Sequence, residues 1–280
     1  MFKNYTICEQ NIRVEMPDFP NDCADWRLFE SNEAVADISV VCQVGEKLPE
    51  ISGVFCGEQG EFSVYVQNGE IFRKRDMGIS EGVLAEYKYI NSSDCQVWFT
   101  HHSFPVFTDE RYFWSSVPLA QLLLPEKAVL MHASFIDVGG SAVLFTAPCG
   151  TGKSTQAELW RIHRNAEVIN GDKAGIYLKE GKAFAGGVPF CGTSGICKNR
   201  NLPLKAIVLL SQGKENRVKR LTGFEALQAV INNIYLDLLA PGEREMCIDF
   251  VIELLEKVDV FSLQCTPDER AIEELEKYLD

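Results

Sequence analysis

The chain has 280 residues, enough for one large domain or two small ones with a real core. Its formal net charge of −13 gives a surface that repels phosphate backbones, so nucleic acid is not an expected partner. No apolar run reaches the ~18 residues that a membrane span needs, and membrane is not an expected partner either.

The opening Met1-Phe2-Lys3-Asn4-Tyr5 lacks the apolar stretch of a secretory leader, and the protein reads as cytoplasmic. Ten cysteines are spread along the chain with no C-x-x-C pair. Cys191 and Cys197 are six apart, with no pair of histidines near them. That spread suggests buried, reduced thiols, not a zinc site or a disulfide framework.

The first hundred or so residues read as β-rich. Strand-like runs cover residues 37–44, 62–66, 71–74, 85–90 and 96–101. Asn68-Gly69 supplies the positive φ angles of a type I′ hairpin between two of them. The character changes around residues 109–114, and residues 116–124 read as a helix that Pro125 follows. Two apolar runs come next, 128–138 and 142–146, joined by Gly139-Gly140. A helix is expected from the loop that follows through about His163, then a strand over 168–170 ending at Gly171-Asp172. Residues 176–178 and 183–185 flank Glu180-Gly181-Lys182 as a second hairpin, and 204–211 is an apolar strand. The C-terminal part reads as helical. Thr222-x-x-Glu225 and Thr266-Pro267-Asp268-Glu269 have the pattern of capping boxes. Between them, 247–257 has helical periodicity, and 259–263 could form a short strand.

The strongest chemical signal is Ala147-Pro148-Cys149-Gly150-Thr151-Gly152-Lys153-Ser154-Thr155. Apart from Ala147 in the first glycine position, it fits the phosphate-binding pattern G-x-x-x-x-G-K-[ST]. Gly150 and Gly152 let backbone N–H groups turn toward phosphates, with Cys149, Thr151 and Thr155 completing the cradle. Lys153 would place an ammonium on the β and γ phosphates, and Ser154 a hydroxyl on Mg²⁺. The pattern lies between an apolar strand and a helix, the context that the chemistry requires.

Asp172, just past a strand expected to neighbour the loop's own strand, could reach Mg²⁺ or take the proton of an attacking hydroxyl. The bland reading is a turn residue at a strand end, but its position after the loop's helix favours the functional one. His132, in Met131-His132-Ala133-Ser134, is on composition more often a core residue than a catalytic one. The polar loop at 192–200 carries Lys198 and Arg200, which could clamp a phosphate or an acceptor, or simply be solvated.

Met131-His132-Ala133, Asp137-Val138-x-Gly140, Leu144, Gly150-x-Gly152-Lys153-Ser154 and Gly171-Asp172 together resemble the catalytic core of the HPr kinase/phosphorylase family, over residues 130–178 and more weakly to 211. The resemblance implies a P-loop α/β core of the kind shared with the ATP-dependent phosphoenolpyruvate carboxykinases. It implies Mg·ATP as donor and a serine hydroxyl as acceptor: the family phosphorylates a small carrier protein, and smaller relatives a precursor peptide, as in lasso-peptide tailoring. It further implies that His132 lies near the transferred phosphate, that Asp172 is the base, and that Lys153 and Ser154 hold phosphate and metal. The chain departs from the family in having Gly171-Asp172 for two aspartates, Thr155 for a glutamate, and no Pro-Gly-Arg-Asn loop. These departures leave the carrier protein open as acceptor and weigh against the reverse, phosphorylase reaction.

The expectation is therefore an α/β protein with a β-rich N-terminal module, residues 1–110, and a P-loop kinase-like domain, residues 111–280. It would be an ATP- and Mg²⁺-dependent phosphotransferase acting on a serine or threonine of a peptide or small protein, with a small hydroxylated metabolite as the next acceptor. A nucleotide-hydrolysing switch or ATPase, and a non-catalytic ATP-binding module, remain the alternatives. Oligomeric state is not legible.

Overall fold

The structure, a computed structural model, describes residues 1–19, 24–76, 78, 82–87, 94–108 and 112–279. The chain divides into two compact units: Met1–Glu126 with Leu236–Met246, and Lys127–Tyr235 with Cys247–Asp280. The expected boundary at 110/111 lies outside the described residues, as do Cys23 and the 88–90 end of one expected strand. No helix among the described residues is long and apolar enough to cross a membrane.

The first unit is built on strands β1 (Phe2–Ile7), β2 (Gln10–Glu15), β3 (Glu30–Ser31), β4 (Ile38–Gly45), β5 (Val54–Gln59), β6 (Phe62–Gln67), β7 (Glu70–Arg75), β8 (Val83–Tyr87) and β9 (Asp94–Thr100). They form one sheet in the order β3-β1-β2-β4-β9-β8-β7-β6-β5. Asn68 and Gly69, at φ 53° and 80°, make the expected hairpin, with Gln67 opposite Glu70. The short helices are α1 (Ala24–Arg27), α2 (Phe104–Phe107), α3 (Phe113–Ser116) and α4 (Leu119–Leu123). Trp26, Phe113, Trp114 and Tyr5 pack ring against ring, with Trp26 and Phe113 centroids 4.3 Å apart. The single helix expected over 116–124 is instead broken between α3 and α4. Pro118 forces Val117 into extended backbone, ψ 131°, and offers no N–H to continue the helix.

The second unit holds β10 (Ala128–Val138), β11 (Ser141–Thr146), α5 (Lys153–Arg164), β12 (Glu167–Asn170), β13 (Lys173–Lys179), β14 (Lys182–Gly186), β15 (Asn201–Gln212), β16 (Arg217–Leu221), α6 (Gly223–Ile231), β17 (Asp259–Cys265) and α8 (Arg270–Glu276). Helix α7 (Glu243–Leu255) precedes β17. The long strands β10 and β15 each belong to two sheets. Their first halves pair with β13 and β14, and their second halves lie in a sheet ordered β12-β10-β11-β15-β17-β16. In that sheet β11, β15 and β17 run parallel. Helix α5 buries Ala157 and Trp160 against Phe145, Val208 and Leu263 from those strands, and α8 adds Ile272 and Leu275. Parallel strands with helices packed on them leave a crevice at their carboxyl ends, where α/β sheets bind ligands.

Three local expectations for this unit are corrected. Thr222 does sit at the N-cap of α6, but its side chain makes no capping bond, and Glu225 pairs with Lys219 at 2.7 Å. Thr266 bonds to Asn216 and Asp268, so α8 starts only at Arg270, where Asp268 accepts from the backbone N–H. The strand that ends before Asp172 does not neighbour β11, because β10 lies between them and pairs with both.

Candidate active site

Thr146 ends β11, and the chain turns through residues 147–152 into α5. Gly150 and Gly152 stand at φ 78° and 119°, in backbone that L side chains rarely adopt. A Cβ added at either would meet nothing within 4 Å, so conformation alone accounts for these glycines. Gly152 is the N-cap of α5, and the unpaired N–H groups of that first turn make the mouth of the loop electropositive.

Lys153 is buried at the start of α5. Its Nζ donates to the carbonyls of Ala147 at 2.9 Å and Pro148 at 3.4 Å, folding the loop around the ammonium. An ammonium has three N–H donors, so one more bond, to a phosphate oxygen, is within its capacity. Burial draws the Lys153 pKa below the usual lysine range, against the opposing pull of Cys149 and Asp172. Cys149, Ser154 and Thr155 are exposed, while Thr151 is half-buried.

His132 lies on β10, directly opposite Lys173 on β13. Its N–H donates to the Asn233 carbonyl at 2.9 Å, and its carbonyl accepts from Thr146 Oγ1 at 2.8 Å. The histidine is thereby tied to the strand that enters the glycine loop. Partial burial first, and then the Lys153 charge, holds its imidazole below the ordinary histidine pKa. His132 Nδ1 is 3.6 Å from Asp172 Oδ1, in contact but beyond a hydrogen bond.

Asp172 sits in the turn between β12 and β13. Buried Asn170 shapes that turn: its Oδ1 accepts from the N–H groups of Asp172 (2.9 Å) and Lys173 (3.0 Å), and its Nδ2 donates to the carbonyls of Val188 and Phe190. The Thr146 bond to the His132 carbonyl, and the Ala133 N–H bond to the Asp172 carbonyl at 3.0 Å, place histidine and carboxylate at the end of β11, where the glycine loop begins. Asp172 Oδ2 is 3.5 Å from Lys173 Nζ, a cation that the sequence reading did not single out.

A loop closes over this carboxylate. Residues 191–197 wind through a 3₁₀ turn (Gly192–Ser194), and Gly192, at φ 54°, lies so close that an added Cβ would stand 2.5 Å from Asp172 Cβ. Cys191 and Cys197 form a disulfide across the loop, their Cα atoms 5.0 Å apart. The expectation that the cysteines are all reduced is thus corrected, because the turn brings together two residues that spacing alone left unpaired. Ile196 also accepts from the Gly171 N–H.

The structure does not bring Lys198 and Arg200 to the glycine loop. Lys198 reaches Glu167 at 2.7 Å, and Arg200 pairs with Glu167 and with Asp137. Glu167 is the first residue of β12, at the end remote from Asp172.

Beside the glycine loop is a cleft of about 690 Å³, within the range of small-ligand sites. Gly150 and Thr151, the ends of β15 and α6, and Ser262 line it. Gln212, on the strand parallel to β11, reaches the Gly150 and Thr151 carbonyls at 3.4 Å. Gln212 and Asn233 also went unnoticed in the sequence. The one available signal for Gln212 was its place at the end of an apolar strand.

Comparison adds little to this geometry. No protein-family model matches the chain, and neither does any curated protein. Among solved structures, the chain is similar to the Hpr(Ser) kinase/phosphatase from Coxiella burnetii. The likeness covers 53% of this chain and 95% of that one, at 12% identity and a TM-score of 0.29. A superposition this loose carries no inference; the residues of the site have to.

Proposed function

We propose that the chain is a phosphotransferase, moving the γ-phosphoryl group of a Mg²⁺–nucleoside triphosphate to a hydroxyl group. One observation carries the reading: a glycine loop with buried Lys153 follows β11, and His132, whose carbonyl accepts from Thr146 at the end of that strand, lies 3.6 Å from Asp172, with an open cleft beside the loop. ATP as donor, and a serine or threonine of a peptide or small protein as acceptor, follow from the sequence resemblance.

Lys153 and the N–H groups of residues 149–155 would hold the phosphates. The donor set fits a magnesium ion. Magnesium takes one or two protein oxygens and fills its shell with water and phosphate oxygens. Exposed Ser154 and partly exposed Asp172 can supply those, and no group of three or more His, Cys, Asp or Glu forms a cage among the described residues. The ion, when bound, would neutralise phosphate charge.

In the transfer, the acceptor hydroxyl gives its proton to Asp172 as its oxygen attacks the γ phosphorus. The bond from that phosphorus to the β–γ bridging oxygen breaks, and the electron pair leaves with the nucleoside diphosphate. Neutral His132 would hydrogen-bond the incoming oxygen or the phosphoryl group. Little covalent chemistry falls to the protein; positioning and charge carry the reaction.

The test is phosphorus NMR of pure protein with Mg·ATP, with and without serine- and threonine-containing peptides. A phosphomonoester signal that needs the peptide and vanishes in Asp172→Ala is the expected result. Inorganic phosphate alone, indifferent to peptide, would point to a hydrolase or switch. Neither product would point to a non-catalytic nucleotide-binding module.

A further inference from the structure

Phosphoryl transfer spreads negative charge over three equatorial oxygens, and enzymes meet it with more than one cation. The two that the sequence offers beyond Lys153 are committed elsewhere, since Lys198 and Arg200 are held by Glu167 and Asp137. A further cation, Lys173, is itself paired with the carboxylate of Asp172.

Lys173 opens β13, pairing with His132 across the ladder, and its N–H is fixed by Asn170. The side chain does not run out to solvent, as lysines on a surface do; only 14% of it is exposed. Its Nζ lies 4.4 Å from the centroid of Phe190 and 4.3 Å from that of Tyr235, between two rings that are themselves 6.4 Å apart. Tyr235 is anchored in turn by its N–H to the Leu130 carbonyl at 2.7 Å. Aromatic faces attract a cation without neutralising its charge. Asp172 Oδ2, at 3.5 Å, is in reach but not in hydrogen-bond contact. The ammonium is thus held in place and largely shielded from water, next to the carboxylate that would receive the acceptor's proton.

We infer that Lys173 is the second catalytic cation of the site, its ammonium binding an oxygen of the phosphoryl group in transit while Phe190 and Tyr235 hold it there. This rests on the phosphotransfer reading. Lys153 arrives from the glycine loop and Lys173 from the strand that follows the base, so the two meet the substrate from different elements. Lys153 serves nucleotide binding. Lys173 serves the charge that develops as the acceptor oxygen attacks, and its loss should therefore appear in kcat and not in nucleotide affinity.

The experiment compares wild type, Lys173→Met and Lys173→Arg, each checked for an unchanged thermal melt. Methionine keeps the stem against the rings and removes the charge; arginine keeps the charge. Fluorescent-nucleotide titration gives the affinity. Phosphopeptide formation from Mg·ATP, with a pooled serine- and threonine-peptide library as acceptor, gives kcat. Lys173→Met is expected to lose about 100-fold in kcat, the cost of removing one stabilising donor. Its nucleotide Kd should stay within about threefold, and Lys173→Arg should recover part of the rate. If wild type turns over and Lys173→Met keeps its kcat, or if the loss lies in nucleotide affinity with saturated kcat intact, the assignment of Lys173 is overturned alone. A wild type that forms no phosphopeptide with the library overturns the phosphotransfer reading, and the role of Lys173 with it.

Discussion

At the scale of single residues, the glycines of the site separate by what they are for. Gly150 and Gly152 face open space and are needed for their positive φ. Ala147, which replaces the first glycine of the motif, is fully buried in the core with Trp160, and its carbonyl receives Lys153. It lies outside the left-handed region, so a side chain is tolerated there. Gly192 is constrained twice, by its φ of 54° and by the Asp172 side chain beneath it. In Gly192→Ala, either the loop lifts or the carboxylate is displaced. A misplacement of about 1 Å costs on the order of 100-fold in rate. Turnover of Gly192→Ala should therefore fall toward that extent, while nucleotide affinity holds, since the substitution touches the carboxylate and not the glycine loop. Parallel kcat and Kd measurements decide it; wild-type turnover in the variant would mean that the loop does not position Asp172.

At the scale of elements, what could be read in the sequence is what neighbouring residues decide between themselves. The hairpin at Asn68-Gly69, the turn at Glu180-Gly181, and the paired strands β10 and β11 are set by local φ demands and apolar runs, and each lies where expected. Strands β1 and β2 escaped notice because each buries only alternate residues, such as Tyr5 and Ile7 or Ile12 and Val14, among polar ones. Strand β5 is interrupted by an irregular register between Phe55 and Gly57. Where a polar side chain finds its partner was not legible. Lys198 and Arg200 looked like a phosphate clamp until β12 brought Glu167 alongside, and Glu225 looked like a cap until β16 supplied Lys219. For the site, the glycine loop, Lys153 and Asp172 were singled out from a motif position or the end of a strand, and His132 from the family resemblance alone. Lys173, Gly192 and Gln212 owe their places to segments far apart in sequence.

At the scale of the whole molecule, the first unit carries an alkaline weakness. Burial pushes the thiols of Cys8 and Cys42 up to about 12, from an ordinary value of 9.0. A raised folded-state pKa gives stability that is complete below the unfolded value and lost as pH rises through the folded one. Guanidinium melts should thus show stability falling from about pH 9 toward 12, and less steeply in Cys42→Ala than in wild type; parallel curves would contradict this. The central claim concerns the second unit, that Lys153 and its glycine loop hold the phosphates of a nucleotide. Calorimetric titration of Mg·ATP into wild type and Lys153→Ala tests it most directly. A saturable 1:1 isotherm in wild type, weakened by about 100-fold or more in a folded Lys153→Ala, is the expected result. No binding by folded wild type, or equal affinity in both proteins, would contradict it.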